Sequence, residues 1–142
     1  MNKKNINPLP ANHKRVISVT ARLLEKELNE LEDLIQNDND QLTKKINRTL
    51  TQEQRNGITK LVEEIRSKNE EMFYKFDLHV EKLNEHQLVY SKVNYLITIL
   101  SDSTSKGLKG YGSLDKEAAE SLDNFMNDLI SKFTVIESIL AQ

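Results

Sequence analysis

Cysteine is absent from all 142 residues of the chain. This absence excludes disulfides, thiolate metal sites and a thiol nucleophile. Glycine and proline are scarce as well, with four and two residues. Because sandwiches and barrels need many turn residues, this scarcity favours long helices. The length is usual for one domain and sufficient to bury a core without covalent cross-links.

Neither sign of charge dominates, since 20 Lys and Arg stand against 22 Asp and Glu, for a formal net charge of −2. This balance favours neither nucleic acid nor a membrane surface as a partner. Long apolar runs are also missing, and none approaches the roughly 20 residues that span a bilayer. The first residues lack the apolar core of a signal peptide. We therefore expect a soluble cytoplasmic protein without a membrane contact.

The spacing of apolar residues predicts a helical fold. Residues 1–11 are polar, carry both prolines, and are expected to form a flexible N-terminal arm. In residues 12–142, apolar positions three and four apart predict amphipathic helices at about 12–36, 52–76, 85–101 and 114–141. We predict an all-α fold for this domain, a single-domain four-helix antiparallel bundle with up-down-up-down order.

Capping residues mark the starts of three of these helices. Asn12 is a good N-cap for the first helix, and Ser113 is one for the fourth. Thr51 and Gln54 fit a capping box, in which each side chain bonds to the backbone amide of the other residue. Residues 41–50 are interpreted as a solvated connector, although an apolar spacing of four also allows a short helix there.

The boundary between the second and third helices contains neither proline nor glycine. One unbroken helix from Gln52 to Leu100 would be roughly 70 Å long, which is too long for a compact domain of this size. Residues 84–87 fit a second capping box. We therefore predict a break between Asp77 and Leu83, with one continuous helix as the alternative.

The third helix is apolar around nearly its whole circumference. A helix of this kind is buried on more than one side, whereas a four-helix bundle buries one stripe per helix. We therefore expect a contact with a protein partner or a second copy of the chain at Tyr90, Tyr95 and Ile99. The fourth helix has one regular apolar stripe, which Ala119, Met126 and Ile130 widen. The stripe consists of Leu114, Ala118, Leu122, Phe125, Leu129, Phe133, Ile136 and Leu140.

Residues 101–112, between the third and fourth helices, hold three of the four glycines. This loop is longer than usual connections between bundle helices. We expect Leu108 to pack on the helices and Tyr111 to stay exposed as a partner contact, because tyrosine is a preferred interface anchor. The alternative is a flexible connector in which Gly107 is the C-terminal cap of the third helix.

Patterns typical of catalytic and metal sites are not found. The residues three before His13, His79 and His86 are not acidic, which excludes the Glu-x-x-His pairs of a di-iron bundle. The glycine-rich loop follows a helix and is not closed by a Lys-Ser or Lys-Thr pair, unlike a phosphate-binding P-loop. We predict no metal, no cofactor and no enzymatic activity.

Anion or nucleic-acid binding is the main alternative to protein binding. A phosphate could meet the free amides at the start of the fourth helix, beside Lys106 and Lys109. Elsewhere the most basic stretch contains Lys44, Lys45 and Arg48. Acidic residues follow this stretch closely, so we expect no nucleic-acid binding near physiological salt.

The function predicted from the sequence is a non-enzymatic helical interaction module. It would be a small accessory or adaptor subunit that binds a protein partner through the third helix and the glycine-rich loop. One alternative is a nucleic-acid- or nucleotide-binding helical regulator. Another is an antitoxin or immunity-type protein that blocks a partner enzyme. Self-association and a complex with another protein are both compatible with the sequence.

Overall fold

A computed structural model describes residues 8–37 and 40–142. None of these residues forms a strand, and the all-α four-helix prediction is confirmed. Every predicted helix boundary lies within two residues of the observed one. The four helices are α1 Ala11–Gln36, α2 Gln52–Lys75, α3 Glu85–Asp102 and α4 Lys116–Leu140, with a short 3-10 helix at Lys109–Tyr111. Most of the predicted arm, residues 1–7, lies outside the described residues.

α1 packs against α2, and α3 packs against α4. The chain divides into two compact units, residues 1–81 and 82–142. We call the pair α1 and α2 the first hairpin and the pair α3 and α4 the second hairpin. None of the described helices is long and apolar enough to cross a membrane.

The capping box predicted for α2 is confirmed. The amide of Gln54 lies 3.0 Å from Thr51 Oγ1, and the amide of Thr51 lies 2.9 Å from Gln54 Oε1. At the start of α3, the Asn84 side chain accepts a 3.0 Å bond from the amide of Gln87. These bonds satisfy amides that have no partner inside the helix.

The predicted caps of α1 and α4 are wrong by a few residues. The N-cap of α1 is Pro10, without a side-chain bond, and Asn12 lies inside the helix. The ring of Pro10 already holds φ near the helical value, so the helix begins earlier. The N-cap of α4 is Asp115 instead of Ser113. A charged carboxylate interacts more favourably with the positive end of the helix than a hydroxyl does.

The break after α2 is confirmed, and the alternative of one continuous helix is excluded. Asp77 adopts a left-handed conformation with φ of 51°. The amide of Leu78 then donates to the carbonyl of Phe73 at 2.9 Å, and the amide of Asp77 donates to the carbonyl of Tyr74 at 3.3 Å. These two bonds form a Schellman motif, which ends the helix and turns Leu78 inward, where it is buried.

Polar contacts hold the first hairpin in one register. Ser18 is 1% exposed and its Oγ accepts a 3.0 Å bond from the amide of His79. Asn69 donates to the carbonyl of Ala21 at 3.1 Å. Arg22 forms an ion pair with Glu81. The buried apolar residues around these contacts are Ala21, Leu28, Ile35, Val62 and Leu78.

Residues 41–50 contain no helix, which confirms the connector interpretation. The carboxylate of Asp40 accepts a 2.9 Å bond from the amide of Ile46. Arg48 donates to the carbonyl of Leu34 at 2.7 Å and to that of Asn37. The connector therefore folds back on the end of α1 and satisfies carbonyls that the helix leaves without partners.

The second hairpin encloses much less apolar surface. All of residues 82–142 are described, and Val93 is the one residue among them that is fully buried. The remaining apolar side chains of α3 and α4 are half-buried or exposed. The His86 ring lies 2.7 Å from the carbonyl of Leu140 and joins the start of α3 to the end of α4.

Candidate functional site

α4 carries two apolar stripes side by side. The inner stripe packs toward α3 and contains the half-buried residues Ala119, Met126, Ile130, Phe133 and Leu140. The outer stripe lies one position earlier along the helix and contains Ala118, Leu122, Phe125, Leu129, Ile136 and Ile139. Its members alternate in steps of four and three, with Lys132 at the one missing position, which is the spacing of a coiled-coil seam.

The outer stripe is exposed to solvent at Phe125, its largest side chain. Phe125 is 68% exposed, and Leu129 and Ile139 are exposed as well. The sequence puts Phe125 and Leu129 on one stripe with Phe133 and Leu140, but the structure divides that stripe, because Phe133 and Leu140 are half-buried while Phe125 and Leu129 are exposed. α4 is so widely apolar that two neighbouring stripes fit the same period, and the pairing with α3 uses only the inner one.

α3 has a matching outer stripe with the same alternation of four and three. It consists of Leu88, Lys92, Tyr95 and Ile99, and all four side chains are exposed. Val93 faces α4, so this stripe points away from the hairpin core. The prediction that α3 has more apolar surface than one helix neighbour covers agrees with this arrangement.

The two outer stripes lie on the same side of the hairpin. Both helices are right-handed and run antiparallel, so the residue one position before an inward-facing residue lies on the same side in each. Ile99 and Phe125 are in this position relative to half-buried Leu100 and Met126. We call this surface the apolar face, made of Leu88, Tyr95, Ile99, Phe125, Leu129 and Ile139.

The opposite side of the second hairpin is largely polar. Asn94 and Thr98 lie there on α3, and Asn127 and Ser131 lie there on α4, all exposed. Tyr90 projects toward this polar side, so the structure separates it from Tyr95 and Ile99. The second hairpin thus has one polar and one apolar side, and two of the three predicted α3 contacts lie on the apolar one.

The glycine-rich loop is fixed to α4 by Ser105. Its amide and its hydroxyl donate to the two carboxylate oxygens of Asp123, at 2.7 and 2.6 Å. α3 ends with Ser103 as its C-cap, so Gly107 is not the cap. Leu108 is half-buried and Tyr111 is 89% exposed, in agreement with the two expectations for these side chains.

The basic residues considered for anion or nucleic-acid binding do not form one cluster. The guanidinium of Arg48 is bonded to carbonyls at the end of α1. Lys44 and Lys45 are exposed on the connector, and Lys106 and Lys109 are exposed on the glycine-rich loop.

At the start of α4, the amide of Ala118 lies 3.3 Å from the carboxylate of Asp115. The Asp115 carboxylate therefore bonds to an amide that a phosphate bound at the start of α4 would need, and it places negative charge beside that amide. Among the described residues, no group of three or more His, Asp or Glu is arranged to hold a metal ion.

Comparison of the chain with protein-family models, with curated proteins and with solved structures finds no match.

The contact between Ser105 and Asp123 makes stability depend on pH. The hydroxyl and then the amide of Ser105 hold the pKa of Asp123 below its ordinary value of 3.8. Because the folded-state pKa is the lower one, the contact stabilises the fold above about pH 4 and is lost as the pH falls through the folded-state value. We expect Asp123→Asn to reduce the acid sensitivity of urea unfolding between neutral pH and about pH 3.

Asp128→Asn is the matched control, since the carboxylate of Asp128 pairs with exposed Lys132 at 3.1 Å and touches no loop residue. Equal acid sensitivity in the wild type and Asp123→Asn would contradict the assignment.

Proposed function

We propose that the protein is a non-enzymatic helical interaction module, an accessory or adaptor subunit that binds a helix of a protein partner on the apolar face. The observation that carries this proposal is the outer stripe of α4. It keeps a coiled-coil spacing from Ala118 to Ile139, a distance of about 30 Å along the helix, and Phe125, Leu129 and Ile139 on it are exposed.

The spacing suits a helix as the bound element. Residues that alternate in steps of four and three form the seam by which helices pack side by side. A helix laid along the second hairpin between the outer stripes of α3 and α4 would contact both stripes at once, as in the helix-in-groove mode of recognition. We include Tyr111 in the proposed site because its side chain is 89% exposed on the glycine-rich loop.

The size of the exposed side chains sets the expected effect of a substitution. Fully burying a side chain the size of Phe or Leu contributes about 1.5–3 kcal/mol. Phe125 is large, exposed and centrally placed on the outer stripe, as binding hot spots are. Truncating it to alanine should therefore cost about 2 kcal/mol of binding, or roughly a 30-fold weaker Kd.

The test uses a labelled amphipathic peptide of about three heptads, with leucine at positions a and d and glutamate at e and g. Fluorescence anisotropy with the full chain should show binding that Phe125→Ala weakens roughly 30-fold. The thermal unfolding midpoint should barely change, because the Phe125 ring is largely exposed.

A matched pair of variants on α3 separates the apolar face from general surface hydrophobicity. Ile99 is 42% exposed on the apolar face, and Tyr90 is 45% exposed on the polar side of the same helix. Ile99→Ser should weaken binding of the peptide, and Tyr90→Ser should leave it unchanged. If both variants bind like the wild type, the apolar face is not the binding surface and the proposal fails.

A further inference from the structure

We draw no further inference here: the strongest candidate, the apolar face that α3 and α4 form on the second hairpin, belongs to the site already described, and nothing further in the structure shows what covers it.

Discussion

Replacing Gly107 with alanine is expected to lower the free energy of unfolding by about 1–3 kcal/mol, the usual cost of forcing extra volume into a packed site. A Cβ atom at this position would lie 2.3 Å from the carbonyl oxygen of Asp102. That oxygen belongs to the backbone at the end of α3 and cannot rotate away. The loop would have to move, and the movement would strain the bonds between Ser105 and Asp123.

Gly110→Ala is the matched control in the same loop. Nothing lies within 4 Å of a Cβ atom at Gly110, and its φ is not in the left-handed region. Alanine should therefore leave stability unchanged or raise it by about 0.4–1 kcal/mol, because the unfolded chain loses freedom. Urea unfolding followed by circular dichroism measures both variants. Similar changes in stability for Gly107→Ala and Gly110→Ala would show that the loop tolerates a Cβ atom close to the carbonyl oxygen of Asp102.

The second large effect is expected in the first hairpin, where Ser18→Ala should lower stability by about 1–3 kcal/mol. The Ser18 hydroxyl donates to the carbonyl of Lys14 at 2.7 Å and accepts from the amide of His79 at 3.0 Å. Alanine removes the acceptor and leaves this amide without a protein partner beside the buried end of the hairpin. An unsatisfied buried donor costs more than the net gain from an average hydrogen bond.

Thr20→Ala is the comparison for Ser18→Ala. The hydroxyl of Thr20 donates to the carbonyl of Val16 at 3.2 Å, the same local bond, but it is exposed and bonds to no distant residue. Its loss should change stability by less than about 0.5 kcal/mol, as is usual for surface positions. Equal melting midpoints for the two variants would mean that the amide of His79 does not depend on Ser18.

Sequence reasoning placed the helices closely because their signals are local. The capping box of Thr51 and Gln54 acts over four residues and appears in the structure as predicted. The end of α2 was harder to place, since the left-handed residue that ends a helix is usually glycine. Here it is Asp77, which tolerates this conformation better than most residues do, so the sequence contains no glycine to mark the position.

The candidate site was only partly predictable from the sequence. The exposure of Tyr95, Ile99 and Tyr111 was predictable because it follows from local patterns. Phe125 and Leu129 were missed, because the choice between two adjacent stripes depends on the register with α3, which sequence periodicity does not specify. The engagement of the Arg48 guanidinium was not predictable for a similar reason. Its carbonyl acceptor on Leu34 lies 14 residues away in the chain.

Val93 is the one residue within 82–142 that is fully buried. This small core affects the lifetime of the protein in a cell. Little enclosed surface resists opening of the second hairpin, and segments that open readily are the ones that proteases cut. A bound helix on the apolar face would close this route by stabilising the folded form. On the proposed function, the amount of this protein should therefore follow the amount of the helix that binds the apolar face, with unbound copies degraded first.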